Sequence, residues 1–308
     1  MNSHSTCAFI NRCFLFQLGI GIAANSFLLL FHIFTFHEDH RSYPTKLITC
    51  HLALVHEVML FTAMSFIFMD LAESVNFWNE LICKALFFTN RVMRNLSICF
   101  TCILSVIQAV TISPSTFYFV RCKHKLTNYI LYVLIFFWFL NLSISSTVIF
   151  HVVSPPNVTP NDLLQIGKHC SISPMNSIFG RVFFIMTTSR DVLLVGVMLL
   201  SSVYMVILLS RHQKRCQYLH NTSHSPRSSL EKRATQTILL LVSAFVDTYC
   251  LNLIIMTISV HVLWTYDQVF LSIQKFVSNV YATVNPLVLL SSDKRIINIL
   301  KYMQCKSH

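Results

Sequence analysis

Seven apolar runs, at about 14–36, 47–69, 82–112, 129–150, 182–209, 237–263 and 269–290, each exceed the roughly 20 residues a membrane-crossing helix needs. That repetition leaves few architectures. In hydrocarbon every backbone N–H and C=O must be paired within its own segment, so runs of this length specify helices, and their number specifies a bundle. Only 11% of the chain is charged, against about 25% for an average soluble protein. The seventh run is the least apolar, with Gln274, Lys275 and Asn285. The expected fold is an all-α membrane protein: one seven-helix domain over residues 1–308, with a tail at 291–308.

An odd number of spans puts the termini on opposite sides, and lysine and arginine in the short connections decide which side is cytoplasmic. The connections 37–46, 113–126 and 211–233, with the tail, hold Arg41, Lys46, Arg121, Lys123, Lys125, Arg211, Lys214, Arg215, Arg227, Lys232, Arg233, Lys294, Arg295, Lys301 and Lys306, whereas the opposite loops offer little besides Lys168. The N-terminus is therefore expected outside and the C-terminus inside, in a multi-pass plasma-membrane protein. The net charge of +11 is then explained by anionic lipid headgroups beside the spans, not by nucleic acid. Residues 1–12 do not read as a cleavable signal peptide, and the first run is expected to remain as a span.

The third run organises the bundle. Asn90, Arg91, Arg94, Ser97, Thr101, Ser105 and Gln108 recur at steps of three and four, so they share one helix face while the other faces are apolar. From Asn90 to Gln108 that face covers about 27 Å, close to the depth of the hydrocarbon core. Lipid cannot solvate such a stripe, so it must face other helices or a wet cavity. The run ends at Ile112-Ser113-Pro114-Ser115, where proline cannot continue the helix.

Further charges lie at membrane depth: Glu57 in the second run, Arg190 and Asp191 in the fifth, Asp247 in the sixth and Lys275 in the seventh. Two readings of the set stand side by side. A cation-rich pocket would hold an anionic or hydrogen-bonding ligand; internal neutralisation would pair Arg91 or Arg94 with Asp191 or Glu57. Gly21 and Asn25, one turn apart in the first run, read as a helix-packing contact.

Topology sorts the eleven cysteines. Cys83 opens the third span on the outer side and Cys170 lies in the outer loop 151–181, so both sit in an oxidising compartment, where a bridge would hold the loop over the bundle mouth. Cys122, Cys216 and Cys305 face the cytosol, and the sequence does not assign Cys7 and Cys13. Asn157-Val158-Thr159 is a glycosylation sequon on the outer side; Asn95 and Asn141 match the pattern inside spans and Asn221 in the cytosol, where it is not used. The basic, serine-rich loop 211–233 suits a partner, and residues 293–304 read as an interfacial helix with Cys305 as an acylation candidate.

No P-loop, nucleophile elbow or spaced metal set appears, so neither a cofactor nor an enzyme is expected. His51 to Glu57 begins like a zinc-protease helix, but Leu60 and Phe61 stand where the second histidine is required. A carrier would show internal repeats and broken helices, and neither is seen.

Several segments together resemble the vomeronasal type 1 receptors, a branch allied to the rhodopsin-like G-protein-coupled receptors. They are Gly21 to Leu29, Arg91-Val92-Met93-Arg94, Leu104 to Ser115, Lys123-His124-Lys125, Asp191-Val192-Leu193, Arg211-His212, His224-Ser225-Pro226-Arg227, Arg233 to Leu239 and Asn285-Pro286. The chain departs from the wider superfamily at Ile107-Gln108-Ala109, in place of an acidic-Arg-aromatic triplet, and at Leu289, in place of a tyrosine. His56 stands where an aspartate is usual, beside Glu57. A bitter-taste-type receptor is the nearest competitor, and the Ile-Ser-Pro-Ser and Ser-Pro-Arg segments speak against it.

The resemblance implies a sensory receptor for small pheromone-like ligands, steroid derivatives among them, coupled to an inhibitory-type heterotrimeric G protein. Asn90, Arg91, Arg94, Asp191 and Lys275 are the candidate ligand residues. Gln108, Arg121, Lys123, Lys125, Arg211, Lys214 and Arg233 form the expected G-protein surface.

Overall fold

The computed structural model describes residues 3–35, 43–71, 80–112, 117–150, 152–153, 164–165, 171–172, 178–219, 239–240, 242–252, 254–255 and 268–292. Six helices are α1 (Ser3–Thr35), α2 (Tyr43–Leu71), α3 (Glu80–Ile112), α4 (Phe117–Ser145), α5 (Ile178–Leu219) and α7 (Gln268–Ser292). Between α5 and α7, the helical residues 239–240, 242–252 and 254–255 form α6. Four of the helices contain stretches long and apolar enough to cross a membrane: Ser5–Thr35, Thr45–Met69, Leu81–Thr111 and Ile185–Leu208. Tyr129–Ser145 is apolar but shorter.

Helix ends differ most from the sequence expectation in three places. Only residues 113–116 separate α3 from α4, so Arg121, Lys123 and Lys125 belong to a helix and not to a loop. Likewise α5 continues to Leu219 and takes in Arg211 and Lys214. Hydropathy marks where a helix leaves the hydrocarbon, not where its backbone hydrogen bonds stop, and a helix can run on into water. The polar N-terminal segment is also helical from Ser3.

Beyond α4 the chain turns through a 3-10 segment at Ser146–Phe150 into three two-residue strands, β1 (Val152–Val153), β2 (Leu164–Gln165) and β3 (Ser171–Ile172). The strand order is β1-β3-β2, all antiparallel, with Ile172 opposite both Val152 and Leu164. This small sheet is an addition to the all-α expectation. It packs its first strand on α3.

The third helix is central: α3 packs against α2, α4 and α5, while α7 packs on α1 and α2. Leu96, Cys99, Phe100 and Leu104 of α3 meet Leu52 and Val55 of α2 and Ile130 and Leu134 of α4. Ile98 and Cys102 on another face of α3 join Met198 and Met205 of α5, Phe245 of α6 and Tyr281 of α7. The outer surface is apolar in turn, with Phe136 and Phe139 of α4 and Leu193 and Leu200 of α5 exposed. Lipid is the solvent that suits such a surface.

At the seam of α1 and α7 the backbones approach closely because Gly21 lacks a side chain. A Cβ there would lie 2.8 Å from both Leu60 Cδ1 and Thr283 Oγ1. One turn on, Asn25 is fully buried and its Nδ2 donates to the carbonyls of Gly21 at 2.8 Å and Ala282 at 3.0 Å. The packing reading of this pair therefore holds in the structure.

Candidate functional site

The polar face of α3 points into the bundle. Ser97, Thr101 and Ser105 are buried, each with a partner on another helix. Ser97 Oγ lies 2.8 Å from His56 Nε2 of α2, Thr101 Oγ1 lies 3.0 Å from the Tyr281 hydroxyl of α7, and Ser105 Oγ lies 2.5 Å from Ser201 Oγ of α5. Tyr281 is the hub: its hydroxyl also accepts Asn285 Nδ2 at 3.4 Å, and its ring meets His56 and Phe245 edge-on at 5.4 and 4.8 Å. Hydroxyls at one-turn spacing on α3 thus form a column of hydrogen bonds tying α2, α5 and α7 to the central helix, where no water competes for them.

Above this column the stripe becomes cationic. Arg91 and Arg94 are half-buried one turn apart and feel each other's charge. Arg91 also lies within electrostatic reach of Arg190 and Asp191 of α5. Asp191 itself is taken by its neighbour: Oδ1 accepts from Arg190 Nη2 at 2.7 Å and from Arg190 Nε at 3.0 Å. The remaining arm of Arg190, Nη1, donates to Asn141 Oδ1 of α4 at 3.1 Å. Asn141, fully buried, donates in turn to the Phe137 carbonyl at 2.7 Å and points at Cys99 Sγ of α3 at 3.6 Å. Tyr249 of α6 stacks on Phe245 and lies within electrostatic reach of Asp191 and Arg190. Two guanidinium groups, Arg190 and Arg91, therefore lie around the Asp191 carboxylate at the junction of α3, α4, α5 and α6, and Arg94 follows one turn further along α3.

Neutralisation thus occurs, but not by the pairs expected. Asp191 pairs with Arg190 on its own helix, and Glu57 accepts a hydrogen bond from Ser26 of α1 at 2.6 Å. Arg94 has no hydrogen bond or ion pair among the described residues. Asn90 is half-buried at the top of the stripe, and its buried Oδ1 has no hydrogen-bond partner there. Lys275 is half-buried on α7, where its carbonyl accepts Asn279 Nδ2 at 2.8 Å. Asp247 departs from the expected cluster altogether, being exposed on the outer face of α6.

Asn141 and Tyr249 are site members that the sequence does not single out, and Arg190, one of the expected charges at membrane depth, is the unexpected partner of Asp191. The signal for Asn141 is an amide inside an apolar run, which the sequon pattern around it obscures. Cys83 is buried and disulfide-bonded, while Cys170 lies outside the described residues. Gln108 is half-buried near the C-terminal end of α3 and Arg211 is exposed on α5. Arg121, Lys123 and Lys125 lie on α4 and Lys214 on α5; Arg233, Asn157 and Cys305 lie outside the described residues. Among the described residues no group of histidine, cysteine, aspartate and glutamate is arranged to hold a metal ion.

A family model described as the vomeronasal organ pheromone receptor family matches residues 8–302. The chain belongs to that family. It is 40% identical to vomeronasal type-1 receptor 45 of Mus musculus, over 98% of this chain and 93% of that protein. With vomeronasal type-1 receptor 90 of Rattus norvegicus the identity is 43%, over 94% of this chain and 92% of the relative. Vomeronasal type-1 receptor 94 of the same species is 40% identical over 99% of the chain and 94% of its own length. As a member of the vomeronasal receptor family the protein is a membrane receptor and not an enzyme. Both the arginine cluster and the hydroxyl column therefore belong to a receptor bundle.

Proposed function

We propose that this vomeronasal-family chain is a pheromone receptor whose ligand carries an anionic group recognised in the outer half of the bundle. The observation that carries this reading is the charge imbalance around Asp191: Arg190 satisfies the carboxylate, and Arg94 has no acid against it among the described residues. At membrane depth a guanidinium without a counter-charge is costly, so an anion bound beside it is stabilised more than it would be in water. Asn90, Arg91 and Lys275 supply further polar groups to the same half, and an apolar ligand body would suit the surrounding walls. A bridge from Cys83 to Cys170 would hold the outer loop across that mouth.

Ligand binding then favours one of two bundle arrangements through its different affinity for each. The column from Ser97 to Ser105 is the part that would register the change, because its hydrogen bonds connect four helices. On the inner side, Gln108, Arg121, Lys123, Lys125, Arg211, Lys214 and Arg233 would meet an inhibitory-type heterotrimeric G protein.

Cells co-expressing the chain with such a G protein, with surface level monitored, test the reading through calcium or cAMP responses to sulfated and neutral steroids. A dose-dependent response to sulfated steroids, lost in Arg94→Ala and reduced in Lys275→Ala at unchanged surface level, is the expected outcome. Equal loss of response and of surface expression would make these residues structural instead.

A further inference from the structure

The described part of α6 has two faces. Val242, Phe245 and Thr248 are buried, and Tyr249 stacks on Phe245. Leu240, Ser243, Asp247, Cys250, Leu251 and Ile254 are exposed. At 100° per residue these six positions fall within about 100° of one another, with Asp247 near the middle of the arc. A carboxylate is thus centred on the outward face of a membrane helix. It also lies deep: Asp247 is ten residues from the inner end of the run 237–263, about 15 Å along a core of about 30 Å.

Lipid tails offer nothing to such a group, and an intramembrane acid normally pairs or faces the bundle interior. Among the described residues Asp247 does neither, for it has no hydrogen bond or ion pair there. Arg190, whose charge reaches Tyr249 of α6, is already engaged by Asp191 and Asn141. A second copy would not supply the missing charge. Copies related by an axis along the membrane normal bring equal depths together, so Asp247 could meet only groups at its own depth on the second copy. The exposed lysines and arginines among the described residues are Arg12 and Arg211, which lie just outside the apolar runs 14–36 and 182–209 and so away from this depth.

We propose that the outward face of α6 docks a transmembrane helix of a different protein, one that carries a lysine or arginine at mid-bilayer depth and pairs it with Asp247. Ser243, one turn away on the same face, is small enough to let the two backbones approach.

The test uses the full-length receptor in cells and a leucine-rich single-span probe with one central lysine, compared with the same probe carrying leucine. Resonance energy transfer between tagged partners should show the lysine probe associating about three- to tenfold more than the leucine probe, a ratio typical of one polar interhelical contact. That preference should vanish in Asp247→Leu, and Asp247→Lys should turn it toward a probe with a central glutamate. If Asp247→Leu does not reach the surface, Asp247→Asn serves, and the preference must fall there too. Equal association of both probes with the unaltered receptor, or a lysine preference that survives loss of the carboxylate, overturns the proposal. Oxidative cross-linking of two receptor copies through Cys250 would overturn it as well, by assigning this face to self-association.

Discussion

Asn25 donates its side-chain amide to the carbonyl of Ala282 at 3.0 Å, and that carbonyl is four residues before Pro286, which has no N–H to offer it. The proline of α7 opens a gap in its own helix and the asparagine of α1 closes it. In a membrane no water could take that role.

Asn25→Ala should therefore destabilise the bundle by about 1–3 kcal/mol, the cost of leaving a buried carbonyl unsatisfied. Pro286→Ala restores an N–H at the right place and should recover part of the loss. A double-mutant cycle on thermal inactivation in membranes would show coupling between the two sites; strictly additive effects would mean that the bond contributes nothing.

Gly21 and Gly19 give a matched pair of tests. A Cβ at Gly21 meets Leu60 and Thr283, whereas at Gly19 nothing lies within 4 Å. Leu60 can yield at its tip, but Thr283 is anchored on α7. Gly21→Val is expected to force the helices apart and cost about 1–3 kcal/mol, in line with overpacked cores. Gly19→Ala should leave the surface level unchanged, as measured by cytometry of a tagged receptor.

Removing one member of the Arg190–Asp191 pair should harm the receptor more than removing both. Arg190→Gln leaves a carboxylate at membrane depth, and Asp191→Asn leaves Arg190 and Arg91 without their acid. Breaking a fully buried pair costs about 3–5 kcal/mol. These side chains remain 19% and 16% exposed, so a smaller penalty of about 1–3 kcal/mol is expected. The double variant Arg190→Gln/Asp191→Asn should reach the surface better than either single one.

Tyr281→Phe keeps the ring contacts with His56 and Phe245 but removes the hydroxyl shared by Thr101 and Asn285. A loss of about 1–2 kcal/mol in thermal stability is expected, since two polar groups lose a partner. His56→Phe should give a loss of similar size through Ser97. If Tyr281→Phe matches the unaltered protein, the column does not hold the helices together.

Much of this receptor was legible in the order of its residues. Hydropathy located the helices because hydrocarbon forces each span to satisfy its own backbone. Spacing along the third run placed Ser97, Thr101 and Ser105 on one face, and their interior position followed from the cost of polar groups in lipid. The quoted segments carried the family as well.

Tertiary structure decided the partners. Periodicity says which residues share a face, but not which neighbour that face meets or how each helix is rotated about its axis. Adjacent residues on a helix point about 100° apart, so Arg190 and Asp191 did not read as a pair; the long guanidinium arm bends back and closes the distance. Asp247 read as one more interior charge until the rotation of α6 turned it outward. Nor could spacing reveal that the carbonyl freed by Pro286 would be met by Asn25, because that contact joins residues 257 positions apart and exists only once α1 and α7 pack.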